Sequence, residues 1–322
     1  MRVIIAGQAV YEGVMMHSQS FVAIAVRAAN GSIITSVRGA KCGQLLWRWM
    51  RVPFARGIVA LYEAVSCGFY GLRESLELAG KRQRLSHRTI FAIELPIGLA
   101  VSFSMFVVIP HMLADALRGA SLYGSAPVRL YSAAHFALNL VEGIMRLLVF
   151  IAFVLMVRLL PAMRRYFAYH GAEHKAINAY ESGSELTVDE LIRQPRLHGR
   201  CGTTFMLTVF IVAMVLFSFV PWTSIPIRLI GRLLLLPAVA SLSYEAIIAG
   251  TLKGATWAKV INALGMQVQR LTTAEPSVQQ LEVALAALSS LLQSEAATSQ
   301  GNMDDEVTDN RCKGHNQHSE ER

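Results

Sequence analysis

Four long apolar stretches dominate the distribution of hydrophobic positions along the chain, from about Ile90 to Ile109, Leu147 to Met163, Thr203 to Val220 and Ile227 to Ile248. A helix needs about 20 apolar residues to cross the hydrocarbon of a bilayer, so each stretch reads as a membrane span. The third, TTFMLTVFIVAMVLFSFV, carries no charge. The others hold Glu94, Arg158, Arg228, Arg232 and Glu245, most of them near a predicted end, where long side chains reach the headgroups.

Outside these stretches the period changes. Residues 6–16, AGQAVYEGVMM, read as a buried strand followed by a glycine-bearing turn. Next, FVAIAVRAANGSIITSVRG sets two β-branched runs around Asn30 and Gly31, a hairpin signal in which both turn positions are expected at positive φ. From Pro53 to about Leu78, the spacing of Ile58, Leu61, Tyr62, Val65 and Phe69 predicts a helix that packs in a core or lies at an interface. After the second span a helix is predicted to about Glu181, stopped at Ser182-Gly183-Ser184. Thr187 and Glu190 then form a capping box for a short helix that Pro195 ends. Ser277 and Gln280 make a similar box opening QQLEVALAALSSLL.

The expected fold is mostly α and integral to the membrane, with about four transmembrane helices and a small N-terminal cytoplasmic α+β portion containing a β-hairpin. Its parts are an N-terminal domain at 1–80 and a membrane domain at 90–250 with a polar loop at 164–202, followed by an amphipathic segment at 251–294. Residues 295–322 have almost no large apolar side chain and are expected to be disordered.

Composition agrees with a membrane protein: 53% of residues are hydrophobic and 16% charged, and mean hydropathy is +0.42. The net charge of +8 divides into a body of +12 and a tail of −4, since residues 295–322 hold three basic and seven acidic side chains. Lys81, Arg82, Arg84 and Arg88 precede the first span, Arg164 and Arg165 follow the second, and Lys253 and Lys259 follow the fourth. Arg118 and Arg129 fall on the other side. This bias places both termini and the 164–202 loop in the cytoplasm of a cell-membrane protein, and it accounts for the basic body without nucleic acid as a partner. The partner expected is the lipid bilayer, with a homo-oligomer or a membrane partner protein left open. Cysteines at 42, 67, 201 and 312 form no C-x-x-C pair and suggest a reducing compartment.

The few polar residues concentrate in the 164–202 loop. His170, Glu173 and His174 form H-x-x-E-H on the predicted helix, so the two histidines lie one turn apart on one face and can present ring nitrogens to one ion. Glu173 sits beside them, where a general acid/base for a metal-activated water belongs, in the order of the inverted zincins. Asn178 and Glu181 continue that face, and His198 and Cys201 can complete the ligand set. The bland alternative is that the histidines bond backbone carbonyls or headgroups. Gly7, Gln8, Glu12 and Gly13 suggest a weaker polar site in the N-terminal portion. Arg56 with Glu63 reads as an ion pair.

YHGAEHKAINAYE at 169–181 and RLHGRCGTTF at 196–205 resemble the signature of the YqhQ-like family of uncharacterised bacterial multi-pass membrane proteins (domain of unknown function 1385). AGQAVYEGVMM, PFARGIVALYE at 53–63 and QRLTTAEPSVQQLEVALAAL at 269–288 are similar to its other blocks. The resemblance covers about residues 4 to 290 and implies a four-span membrane protein and a metal-dependent enzyme. The chain departs from the family at Ala6, His17 and Gly199, where Gly, Arg and Pro are common; none of these is a candidate ligand. The expectation is a membrane-embedded metalloprotein with a cytoplasm-facing site and a divalent metal, zinc first. His170, His174, His198 and Cys201 would be ligands and Glu173 the acid/base of a hydrolase. The alternative is a non-enzymatic adaptor or transport-associated protein with a structural metal or none.

Overall fold

The computed structural model describes residues 3–39, 52–81, 87–119, 132–199, 201–220, 225–253 and 256–316. Arg82, Arg84 and Arg129, which bear on the expected orientation, lie outside them. The fold is mostly helical with one N-terminal sheet.

Four strands, β1 (Ala6–Val10), β2 (Gly13–His17), β3 (Phe21–Arg27) and β4 (Ile33–Gly39), form an antiparallel meander in sequence order. The Asn30-Gly31 hairpin is present, with Arg27 opposite Ile33. Among its turn residues only Gly31 takes positive φ, at 85°, and Gly31 N donates to Ala28 O at 2.9 Å. This is the longer loop closed by a left-handed glycine rather than a two-residue turn, so one residue carries the positive φ expected of two.

The sheet is covered on both faces, which explains why β2 and β3 read as continuous apolar runs. One face, with Val14, Met16, Ala23 and Ala25, packs on α5 (Pro161–Ser182) and α10 (Val278–Asn316) through Tyr169, Ala172, Ile177, Leu281, Leu288 and Leu291. The other face, with Val10, Met15, Val22, Ile24 and Val26, meets Cys67, Tyr70 and Leu78 of α1 (Ala55–Leu78). Gly183, at φ 75°, ends α5 as predicted; Thr187 caps the short α6 (Val188–Arg193), accepting from Glu190 N at 3.3 Å. Helix α10 extends to Asn316.

Among the described residues three helices are long and apolar enough to cross a membrane: Pro96–Leu117, Ala133–Arg158 and Ile225–Ala249. The first joins α2 (His87–Phe103), a π-helical segment (Ser104–Val108) and α3 (Ile109–Gly119); the others are α4 (Ala133–Arg158) and α8 (Ile225–Lys253). The expected third span is α7 (Gly202–Phe217), an apolar helix of 16 residues, short of the length of the other three. Helix α9 (Thr256–Thr272) follows α8.

Helix α4 begins well before Leu147, because charges that look prohibitive in sequence are paired inside the bundle. Glu142 meets Arg146 at 3.0 Å, Arg232 at 2.5 Å and His111 at 3.2 Å. The π-helical segment interrupts the regular backbone ladder, and within it the Phe106 carbonyl accepts from Arg146 Nε at 2.7 Å. The expectation that Arg232 reaches the headgroups is corrected: Arg232 is fully buried. Arg56 pairs with Glu245 of α8, at 2.5 Å, rather than with Glu63.

Candidate metal centre

His170 and His174 point from one face of α5 toward the N-terminus of α7. Their rings are 4.4 Å apart between centroids. His170 Nδ1 donates to the Thr272 carbonyl at 2.9 Å and His174 Nδ1 to the Arg196 carbonyl at 2.8 Å. A carbonyl only accepts, so each ring holds its proton on Nδ1 and turns a lone pair on Nε2 inward. Carbonyl bonding, the bland expectation, is thus the arrangement that prepares a histidine for metal.

Cys201 caps α7, its Sγ accepting from Thr203 N at 3.4 Å, and lies 3.3 Å from His170 Nε2. One ligand atom from each of His170, His174 and Cys201 falls within 4.8 Å of the others. His174 is 1% exposed, and among the described residues its buried Nε2 has no hydrogen-bond partner. A buried imidazole beside a thiol and a second imidazole could hold a cation, and the mixed nitrogen and sulfur donors suit zinc.

His198 does not join this group. Its Nε2 faces Glu181 at 3.3 Å, and its ring centroid is 5.8 Å from that of His174. Gln269 of α9 brackets its backbone, accepting from its amide at 3.0 Å and donating to its carbonyl at 2.8 Å. Asn178, read as a candidate ligand, donates instead to the Pro195 and Leu197 carbonyls. Asn178 and Glu181 therefore anchor the 195–198 loop that supplies the carbonyl for His174. No sequence signal marks Gln269 or the carbonyls of Arg196 and Thr272 for these roles.

Glu173, 4% exposed, lines a cavity of about 540 Å³ together with His170, His198 and Cys201. Burial pushes its carboxyl up to about 7. The N-terminal portion closes this cavity through Ala6, Gly7, Gln8 and Ala9 of β1, which brings part of the weaker polar motif to the site. Glu12 is not part of the lining; it pairs with Arg165.

The model of the family described as Protein of unknown function (DUF1385) matches residues 52–294. The chain belongs to that family. The Uncharacterized protein YqhQ of Bacillus subtilis (strain 168) is 33% identical over 309 residues, covering 91% of this chain and 94% of the relative. No solved structure matches.

Proposed function

We propose that the chain is a four-span protein of the cytoplasmic membrane that holds zinc through His170, His174 and Cys201 on its cytoplasmic face and acts as a hydrolase. The observation that carries the metal is the buried Nε2 of His174, without a hydrogen-bond partner among the described residues, on a ring grouped with two further donor side chains. Three protein ligands is the count of a catalytic zinc site rather than a closed structural one.

The packing supports four crossings although only three helices reach full length. The sheet precedes the first span, α5 follows the second and α10 follows the last, yet all three share one core. The chain between α5 and α10 must return to the side it left, so with α8 crossing, α7 crosses as well. The Lys and Arg bias names that side as cytoplasmic.

Zinc held by His170, His174 and Cys201 would supply a Lewis acid and would lower the pKa of a water to about 7. Glu173 takes a proton from the attacking water and passes it to the leaving oxygen, so that water adds across the scissile bond and the carboxyl is regenerated. A group titrating near neutrality suits that exchange in both directions. The His170 and His174 rings need no proton transfer, since their protons stay on Nδ1, donated to the backbone carbonyls of Thr272 and Arg196.

Metal analysis of purified protein tests this reading. Wild type is expected to carry one zinc per chain and His174→Ala none, while Glu173→Gln keeps zinc and loses hydrolysis. Metal-free wild-type protein would overturn the reading and favour a non-enzymatic adaptor.

A further inference from the structure

The cavity beside the centre lies at the height of the membrane surface, and α1 gives the measure. Its N-terminal turn docks on α8: Arg56 binds Glu245 at 2.7 and 2.5 Å, Ser241 Oγ donates to the Phe54 carbonyl at 2.6 Å, and a Cβ on Gly57 would fall 2.6 Å from Ser241 Cα. Ser241 precedes Ala249, the end of the apolar stretch of α8, by eight residues, about 12 Å of helix. The far end of α1 belongs to the sheet, with Ser75 Oγ accepting from Tyr11 N at 3.1 Å.

Ala64 and Cys67, midway along α1, line the cavity. Seven residues of helix separate Gly57 from Ala64 and climb at most about 10 Å whatever the tilt. With α8 along the membrane normal, Ala64 therefore stands no higher than the level at which the apolar part of α8 ends. Gly202 and Thr203, the first turn of apolar α7, form another part of the same wall.

Apolar stripes lie on the outside of these elements. Phe54, just before α1, and Ile58 and Tyr62 of α1 are 56%, 49% and 57% exposed, and Trp257, Val260 and Leu264 of α9 are similarly open. On the four-span reading both stripes face the lipid of the inner leaflet. Inside the cavity, Ile4, Ile5, Ala9, Phe167 and Ile177 form an apolar lining that meets the polar centre.

We infer that the cavity admits an acyl lipid of the cytoplasmic leaflet, its head at the His170, His174 and Cys201 centre and its chain along the apolar lining. This rests on the four-span reading above and gives the proposed hydrolase its substrate class, a membrane lipid with an ester or phosphoester near the headgroup.

The test is photolabelling of the full chain in phosphatidylglycerol nanodiscs containing a phospholipid with a diazirine on its acyl chain, read by peptide mass spectrometry. Labels are expected on peptides spanning 4–9 and 167–177 as well as on the exposed span faces. Ala64→Trp, which intrudes on the cavity, should lose the first set and keep the second. Competition by excess unlabelled phospholipid should also deplete the cavity labels, and it needs no variant. Labels confined to the span faces in wild type would overturn the inference. Zinc measured in the same sample separates the two proposals: cavity labels without zinc sink the metal reading alone, and zinc without cavity labels sinks the lipid alone.

Discussion

Gly7 of β1 lies directly against Glu173 of α5. A Cβ built on Gly7 would stand 2.8 Å from both Cγ and Oε1 of the glutamate, closer than real Cβ contacts occur. The sheet backbone thus forms one wall around the proposed acid/base, and a side chain there has nowhere to go. Gly7→Ala is expected to destabilise by about 1–3 kcal/mol through overpacking, and to cost little in a Glu173→Ala background, where the obstructing atoms are gone. Thermal unfolding of the four proteins measures the coupling; equal costs in both backgrounds would show that the contact is not what excludes a side chain.

Each of the three proposed ligands should be separable from its neighbours by metal stoichiometry. His170→Ala, His174→Ala and Cys201→Ala are expected to lose zinc. His198→Ala should retain it, because His198 faces Glu181 instead. Replacing Asn178 by Ala should weaken binding by about 10–100-fold without abolishing it, since it frees the loop that positions the Arg196 carbonyl under His174. Retention by a His174→Ala variant would contradict the assignment.

His17, at the end of β2, also lines the cavity, and burial holds its imidazole below the ordinary value of 6.5, partly offset by a hydrogen bond with the Ser18 backbone. A depressed folded-state pKa stabilises the fold above the unfolded value and loses that contribution as pH falls through the folded one. Stability should therefore decline on acidification below about pH 6.5, and His17→Gln should flatten that decline. Melting temperatures of the two proteins between pH 7.5 and about pH 5 check this; parallel curves would exclude His17 as a source.

The Glu142 cluster is expected to be the more damaging place to break an ion pair. Glu142→Gln leaves Arg146 and Arg232 buried around a neutral amide and should cost about 3–5 kcal/mol. Arg38→Ala removes the partner of Glu74, but the Arg38 side chain is 62% exposed, so about 0–1 kcal/mol is expected. Unfolding in detergent, followed by circular dichroism, compares them.

Truncation divides α10 by what each part touches. Leu281, Leu288 and Leu291 are almost fully buried against the sheet, so a chain ending at Ser277 should fail to fold its N-terminal half. A chain ending at Thr298 keeps that core and should melt with the full-length protein. A large loss in the second would show that the helix beyond residue 298 contributes to stability.

Much of the architecture is written in local pattern. Thr187 with Glu190, Ser277 with Gln280 and Gly183 specify helix ends through backbone hydrogen bonds made within a few residues, so their spacing alone foretells them. The pairing of His170 with His174 is local too, since one helical turn brings both rings to one face. Periodicity likewise marks α1, and apolar content marks the membrane helices.

What the sequence could not reveal depends on partners far away along the chain. Glu142 and Arg146 look like the wrong side of a span boundary until Arg232 and His111 are brought beside them. His198 and Cys201 were equal candidates by spacing; the carbonyls of Arg196 and Thr272 and the amide of Gln269 decide that only Cys201 meets the histidines. The proposed fourth crossing is likewise not legible locally, because α7 alone has marginal length and the proposal leans on the shared core of β-sheet, α5 and α10. Local hydrogen bonding and hydrophobic period act over one or two turns and are legible in order, whereas charge compensation and which candidate side chains meet are set by contacts across tens to hundreds of residues.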